Sequence, residues 1–171
     1  RRGVTSFELP KNLQLAWSRE LPALTPAFHN ARLQFDAGYE PVVAGGRVLI
    51  ASSRTDSVKA YDAKSGKQLW TFYADGPVRL APAVWQDAVC FGSDDGCLYC
   101  VDLANGALRW KHRAVPSRRR LLGNKRLISV WPVRGGPVVS EGKVYFAAGV
   151  WPFEGVFVYA IDIADGNVVW R

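Results

Sequence analysis

The chain has 171 residues, a formal net charge of +7 and no methionine. Its apolar fraction of 49% is enough for a buried core, but no apolar run reaches the roughly 18 residues of a membrane-spanning helix. Sixteen glycines and ten prolines favour short strands and tight turns. The chain begins with arginine and carries no secretion signal, so we expect an internal piece of a longer protein.

The predicted elements are β-strands throughout, in chain order. Residues 1–40 contain an outer strand, LQLAWSREL at 13–21, followed by a link. Two units of four short strands follow at 41–80 and 81–114, and their first strands open on Pro41 and Pro82. A basic inserted loop then occupies 115–136, and a last unit at 137–171 stops just after its outer strand. Four antiparallel strands in succession, repeated about every 40 residues, predict the blades of a β-propeller.

One motif returns at the same place in each unit. It reads AYDAKSGKQLW at 60–70, CVDLANGALRW at 100–110 and AIDIADGNVVW at 160–170. The aspartate can accept hydrogen bonds from the amides of a turn, the glycine can adopt a positive φ, and the tryptophan can wedge between neighbouring blades. We therefore interpret nine residues as structural: Asp62, Gly66, Trp70, Asp102, Gly106, Trp110, Asp162, Gly166 and Trp170. All three tryptophans are expected to be largely buried.

The pattern A-x-D-x-x-x-G-x-x-x-W resembles the tryptophan-docking repeat of the PQQ-like, or quinoprotein-type, β-propellers. It is complete in the first and third copies, and Cys100 replaces the alanine in the second. Stretches such as DAGYEPVVAGGRV and WPVRGGPVV resemble the long PQQ-like repeat proteins of planctomycete-type bacteria. The resemblance covers roughly residues 41–171 and implies an all-β segment of a ring of seven or eight blades.

Three blades do not close a ring, since propellers have four to eight. The first and last sheets would each leave an apolar face uncovered. We therefore expect the remaining blades to come from further chain or from another subunit.

The positive charge is concentrated in one stretch. Nine of the 22 basic residues lie between Arg109 and Arg134, where there is no acidic residue, and the other 13 are outnumbered by 15 acids. The third unit is also 20 residues longer than the second, through the loop at 115–136 and through AGVWPFEGVF between its second and third strands. Turns alternate between the two faces of an up-and-down blade, so both insertions are expected on one face.

That face is the candidate ligand or partner surface, because loops on a rigid scaffold often carry the function of a propeller. Its predicted residues are Arg118, Arg119, Arg120, Lys125, Arg126, Trp131, Trp151 and Phe153. Cations beside aromatic rings suit a carboxylated or sulfated glycan, a phosphate or an acidic protein. The alternative is a solvated basic loop whose aromatic side chains pack on the rim of the propeller.

The three cysteines fall within eleven residues. Cys97 and Cys100 are three apart on a predicted strand and point to opposite faces, which disfavours a metal or redox pair. If Asp94-Asp95-Gly96 forms a three-residue hairpin loop, Ser93 faces Cys97 and Cys90 faces Cys100. The Cys90–Cys100 pair is then either two buried thiols or, in an oxidising compartment, a strained disulfide.

We interpret the chain as a non-catalytic scaffold or binding module, exported to the periplasm or cell envelope as the resemblance implies. The alternative is part of a PQQ-dependent quinoprotein dehydrogenase with calcium. Such enzymes carry adjacent cysteines and acidic or amide calcium ligands, and the sequence has no Cys-Cys pair and no calcium-loop spacing. Nucleic acid is a poor match for the basic run, because no groove-reading element accompanies it.

Overall fold

The computed structural model describes residue 8 and residues 11–30, 32, 34–123 and 125–171. Parts of the predicted N-terminal segment, residues 1–7, 9, 10, 31 and 33, therefore lie outside the described residues. The described chain forms three four-stranded antiparallel sheets and one separate two-stranded hairpin. The predicted all-β propeller segment is confirmed.

Each sheet is built from four strands that are consecutive in sequence, and we call these sheets blades A, B and C. The strands of blade A are β1 (Val42–Ala44), β2 (Arg47–Ser52), β3 (Ser57–Asp62) and β4 (Gln68–Tyr73). The strands of blade B are β5 (Ala83–Trp85), β6 (Ala88–Gly92), β7 (Cys97–Asp102) and β8 (Leu108–Arg113). The strands of blade C are β11 (Val138–Ser140), β12 (Lys143–Ala148), β13 (Phe157–Asp162) and β14 (Val168–Trp170).

The stretch between blades B and C contains the separate hairpin, formed by β9 (Arg120–Gly123) and β10 (Arg126–Ser129). We expected an inserted loop here, whereas the middle of this stretch forms two antiparallel, hydrogen-bonded strands. At the other end of the chain, residues 13–21, expected as an outer strand, have no strand assignment. A strand needs a hydrogen-bonded neighbour, and the described residues provide none beside this segment.

The aspartate and glycine of the repeated motif form the turn between the third and fourth strands. Asp62 Oδ1 accepts hydrogen bonds from the amides of Lys64 and Ser65, at 3.1 and 2.7 Å. Gly66 has a φ of +68° and donates its amide to the carbonyl of Asp62 at 2.9 Å. The bond from the amide two residues on recurs at Asp102 and Asp162, which explains why these residue types return at one spacing.

Trp70 and Trp110 of the motif each pack on the motif turn of the next blade. The indole Nε1 of Trp70 donates to the carbonyl of Leu103 at 3.0 Å, and a Cβ on Gly106 would lie 2.7 Å from its ring. Trp110 donates to the carbonyl of Ile163 at 2.8 Å. Glycine is therefore required in each turn for two reasons: the backbone has a positive φ, and the indole ring approaches too closely for a side chain.

Trp17 makes the equivalent contact on blade A, although it belongs to no assigned strand. Its Nε1 donates to the carbonyl of Ala63 at 3.0 Å, and a Cβ on Gly66 would lie 2.6 Å from its ring. The similarity of segment 13–21 to an outer strand thus extends to the position of its tryptophan, even though the strand itself is not formed.

The expectation that all three motif tryptophans are largely buried is wrong for Trp170. Trp70 is buried, Trp110 is half-buried, and Trp170 is 47% exposed. Trp170 follows the same register, opposite Ala160, and contacts the ring of Tyr145. Its exposure has a simple cause, since no described turn follows blade C to cover its ring.

The core lies between the blades, in two layers of similar construction. Between blades A and B, Phe91 and Tyr99 stack with ring centroids 5.5 Å apart. Between blades B and C, Phe146 and Tyr159 stack at 5.3 Å. Each stacked pair is formed by residues directly opposite on the second and third strands of one blade. This repeated pairing fixes the spacing between neighbouring sheets.

The predicted register of the cysteine hairpin is confirmed. Cys90 lies directly opposite Cys100, and the amide of Ser93 donates to the carbonyl of Cys97 at 3.0 Å. All three cysteines are buried thiols. The hydrogen bond with Cys100 and burial raise the pKa of Cys90, and burial raises the pKa of Cys97 to about 12. The thiols of Cys90 and Cys97 are therefore protonated at neutral pH, whereas the hydrogen bond with Cys90 lowers the pKa of Cys100.

The contact of Trp70 with Gly106 predicts an unequal effect of two glycine substitutions. Gly106 and Gly142 have nearly the same φ, +73° and +74°, but a Cβ on Gly142 would meet no atom within 4 Å. We expect Gly142→Ala to lower the free energy of unfolding by about 1–2 kcal/mol, the strain of a left-handed alanine. Gly106→Ala should lower it by about 2 kcal/mol more, because it displaces the indole. Urea denaturation of both variants measures the difference, and equal losses would contradict it.

His112 predicts a pH-dependent contribution to stability. Burial lowers its pKa, its Nε2 has no hydrogen-bond partner, and its ring packs 5.4 Å from that of Tyr159. The unfolded chain binds this proton near pH 6.5, while the folded chain resists it until a lower pH. Stability should therefore fall as the pH drops from 7.5 through 6.5 and towards the folded pKa.

We expect His112→Gln to reduce the stability lost between pH 7.5 and 5.5 by at most about 1.4 kcal/mol, because this interval extends only about one unit below the unfolded pKa of about 6.5. His29 is exposed, so water reaches its side chain in both states and His29→Gln should leave the loss at its wild-type size. Chemical denaturation at the two pH values measures this. An equal loss of stability between the two pH values in the wild type and in His112→Gln would refute the prediction.

Candidate interaction surface

The two inserted segments of blade C lie together. The first, the hairpin insertion, runs from residue 114 to 137 and contains β9 and β10; the second, the aromatic turn, spans residues 149–156. The indole Nε1 of Trp131 donates to the carbonyl of Glu154 at 2.5 Å, and Arg119 Nη2 lies 2.5 Å from Glu154 Oε2. The guanidinium of Arg119 also stands 5.3 Å from the centre of the Trp131 ring. Glu154 thus joins the two insertions.

The aromatic turn presents two stacked rings to solvent. It contains a single 3-10 turn, Pro152–Glu154, which ends at Gly155 with a φ of +89°. The rings of Trp151 and Phe153 stack with centroids 6.1 Å apart, and the side chains are 45% and 82% exposed. Proline at the first position fixes the turn, and the contacts of Glu154 hold it in place. The exposed rings therefore stand on an anchored support.

The hairpin insertion combines exposed aliphatic side chains with basic ones. Leu122 and Leu127, paired across β9 and β10, are 76% and 57% exposed, whereas Ile128 is buried. Lys125, at the hairpin turn, is exposed and has a φ of +63°. One side of the hairpin therefore packs on the propeller, and the other shows an apolar strip with a cation at its tip.

The eight predicted surface residues fall into groups with different environments. Trp131 is buried, packing edge-on to Phe157 at 6.4 Å, so its ring is unavailable to a partner. Arg126 is ion-paired with Asp56 of blade A, and Arg119 with Glu154. The side chains exposed without an ion pair in the described part of the chain are Arg118, Arg120, Lys125, Trp151 and Phe153.

Arg118 and Arg120 line a separate cavity of about 560 Å³ beside blade B. Its lining residues are Asp75, Cys97, Lys111, Arg113, Arg118 and Arg120, and we call it the cationic pocket. The predicted residues Lys125, Trp151 and Phe153 are absent from this lining. The basic run therefore contributes to two distinct features of the surface.

The sequence interpretation missed a buried cluster of charges centred on Asp94. Arg79 Nε donates to Asp94 Oδ2 at 2.7 Å, and Arg134 contacts both carboxylate oxygens at 2.9 Å. Arg79 Nη1 also bonds Asp36 Oδ2 at 2.6 Å, and the Asp36 carboxylate accepts the amide of Ala27. Two aspartates and two arginines thus compensate one another, and removing a single partner of such a cluster costs roughly 3–5 kcal/mol.

A signal for this cluster is present in the sequence. The tripeptide Pro-Val-Arg occurs at 77–79 and again at 132–134, each time with its arginine three residues before the proline that opens a blade. The equal offset places both arginines in links on the same face as the hairpin loop of Asp94. We interpreted Asp94-Asp95-Gly96 only as a hairpin turn, although Asp94 is fully buried.

Asp95, the other acid of this loop, is also buried and fully engaged. Its Oδ2 accepts the hydroxyl of Tyr99 at 2.6 Å and lies 3.3 Å from Lys111 Nζ, and its Oδ1 accepts the amide of Cys97 at 3.0 Å. Burial and the hydrogen bond to Asp95 raise the pKa of Tyr99. The two acidic side chains of the loop between β6 and β7 therefore both fix its position, Asp94 through Arg79 and Arg134 and Asp95 through Tyr99 and Lys111.

Within the described ranges, no helix is long and apolar enough to cross a membrane.

The chain matches known proteins along most of its length. The family model described as outer membrane protein assembly factor BamB matches residues 11–171. The dehydrogenase subunit of a quinone alcohol dehydrogenase from Gluconacetobacter polyoxogenes is 31% identical over 174 residues, which cover 94% of this chain and 21% of that protein. The outer membrane protein assembly factor BamB of Yersinia pestis is 29% identical over 136 residues, which cover 77% of this chain and 32% of that protein.

A solved structure gives the same result for the fold. The quinohemoprotein alcohol dehydrogenase from Comamonas testosteroni superposes with a TM-score of 0.63 at 25% identity, over 78% of this chain and 20% of that one. The chain thus spans about a fifth to a third of the length of the relatives it matches. Its three blades, its repeated turn and these matches show that it belongs to the PQQ-like β-propeller repeat family.

Proposed function

We propose that this chain is a non-catalytic scaffold or binding module of an exported protein, and that it holds an acidic protein partner on the face formed by its two insertions. The observation that carries the proposal is the anchored pair of exposed rings, Trp151 and Phe153, beside a hairpin with exposed leucines and a cation at its tip. Aromatic side chains are enriched in the cores of protein interfaces, and cations at the rim steer an acidic partner.

The anchoring of this surface supports a binding role over a merely solvated loop. Glu154 is held by both Trp131 and Arg119, so the 3-10 turn beneath the rings is restrained at its last residue. A preformed surface loses little conformational entropy when a partner binds, which favours affinity. The relative from Yersinia pestis is named as an assembly factor, which is consistent with a scaffold role.

Site-specific photo-crosslinking in the protein with all of its blades tests the proposal. A photoreactive phenylalanine analogue replaces Phe153 in one variant, and in the control it replaces Lys64, an exposed residue on a motif turn and hence on the opposite face. We expect a discrete protein adduct from position 153 and none from position 64. Lys125→Glu should weaken the adduct several-fold, because it reverses the charge that attracts an acidic partner.

Equal adducts from the two positions, or an adduct indifferent to Lys125→Glu, would overturn the proposed surface.

A second candidate function is a part of a PQQ-dependent oxidoreductase. The observation that favours it is the 31% identity with a quinone alcohol dehydrogenase subunit over 94% of this chain. In that case the cofactors would be PQQ and calcium, and PQQ would supply the redox chemistry.

The described residues do not fit the metal of such a site. They contain no group of three or more His, Cys, Asp or Glu side chains placed to hold an ion. Asp94, the most enclosed acid of blade B, already binds two guanidinium groups, which leaves its oxygens engaged. We therefore derive no catalytic step from this segment.

Reconstitution separates the two functions. The complete protein is incubated with PQQ and calcium, and quinone absorbance and alcohol-dependent dye reduction are recorded. The scaffold proposal expects neither signal above that of a sample lacking PQQ. Stoichiometric quinone absorbance with alcohol oxidation would establish the oxidoreductase instead.

A further inference from the structure

The cationic pocket is built by two pairs of basic residues from different elements. Lys111 and Arg113 alternate along β8, opposite Tyr99 and Cys97 of β7. Arg118 and Arg120 alternate in the same way where the chain enters β9. Residues two apart on an extended chain point the same way, so the two members of each pair lie on one side of their strand. Both pairs line the cationic pocket. Asp75 reaches the same space from the link that follows β4.

The single acid of the lining is neutralised within the pocket. Lys111 Nζ lies 2.6 Å from Asp75 Oδ2 and 3.3 Å from Asp95 Oδ2. The hydrogen bond from Lys111 lowers the pKa of Asp75, and the fields of Arg120 and Arg113 lower it further. Asp75 is therefore an ionised partner of Lys111, and no ion pair joins it to the arginines of the lining.

Three guanidinium groups remain without a carboxylate. Arg113 Nη1 donates to the backbone carbonyl of Asp95 at 3.4 Å, which orients the group but does not neutralise it. Arg118 and Arg120 have no ion-pair partner among the described residues, whereas Arg119 and Arg126 of the same basic run are paired with Glu154 and Asp56. Apart from Lys125 at the hairpin tip, the unpaired arginines of the run thus lie at the cationic pocket.

We infer that the cationic pocket binds a phosphate or sulfate monoester through Arg113, Arg118 and Arg120. The planar fork of arginine matches two oxygens of a tetrahedral oxyanion, and three such forks in one cavity compensate a double negative charge. The volume of about 560 Å³ exceeds that of a bare ion and leaves room for the group that carries the ester, such as one sugar ring. The protonated thiol of Cys97 also lines the pocket and adds no negative charge.

This binding does not depend on the proposed protein partner. The pocket lies beside blade B, and its lining excludes the exposed rings of the aromatic turn. A small ester can therefore occupy the cationic pocket whether or not a protein partner is bound at the aromatic turn. A negative result in the cross-linking at position 153 leaves the titration of the pocket unaffected, and the reverse also holds.

Isothermal titration calorimetry of the purified protein with glucose 6-phosphate and glucose 6-sulfate, at pH 7.5 and 50 mM salt, tests the inference. We expect saturable binding of one equivalent, and the tighter of the two esters identifies the chemical source. Inorganic phosphate should bind more weakly than glucose 6-phosphate, because it leaves part of the cavity unfilled.

Matched arginine variants decide whether the pocket is responsible. Arg118→Gln and Arg120→Gln should each weaken binding at least tenfold. Arg119→Gln removes the same charge from the same run. Because Arg119 is ion-paired with Glu154, this substitution should change the affinity less than twofold. Circular dichroism confirms that the variants are folded. The inference is overturned by the absence of saturable binding at millimolar ester, or by an Arg119→Gln loss equal to that of Arg120→Gln, which indicates diffuse attraction alone.

Discussion

The structure depends on the contact of an indole ring with a glycine in the next blade. Trp70 covers Gly106, Trp110 covers Gly166, and each ring also donates a hydrogen bond to a carbonyl of the turn beneath it. This contact joins apolar burial to a directional bond at a place where any side chain on the glycine would intrude. The stacked Phe–Tyr pairs fill the space that the indoles define, so the spacing of the blades, and with it the position of every loop, follows from one repeated contact.

Charge is organised around this frame in three different ways. Asp94 and Asp36 neutralise Arg79 and Arg134 inside the protein, where an unpaired charge would be very costly. Arg119 and Arg126 are paired at the surface and fasten the hairpin insertion to its neighbours. The cations of the basic run without an ion pair, Arg113, Arg118, Arg120 and Lys125, are in the cationic pocket and at the tip of the hairpin. A uniform basic run in the sequence therefore becomes structural at some positions and available for binding at others.

The architecture was predictable from the sequence because it rests on local patterns. The turn of Asp62 and Gly66 and the opposition of Cys90 to Cys100 follow from residue type and register alone. The site was predictable only in part. The burial of Trp131 depends on Glu154, 23 residues away, and the ion pair of Arg126 on Asp56, 70 residues away. No periodicity encodes such contacts, so sequence reasoning brought the two insertions together without separating their buried, ion-paired and unpaired residues.

The indole contacts have a direction, and this limits how copies of the chain can associate. The contacts of Trp70 and Trp110 run from the outer strand of one blade to the turn of the next, which is a head-to-tail relation of the kind that builds rings or filaments. Within the described chain, Trp17 already occupies the turn of blade A, and Trp170 alone has no turn to cover. Two copies would therefore offer each other a projecting ring but no vacant turn. Head-to-tail growth by this contact is therefore blocked by the chain's own Trp17, and only a turn that no tryptophan already occupies can cover the ring of Trp170.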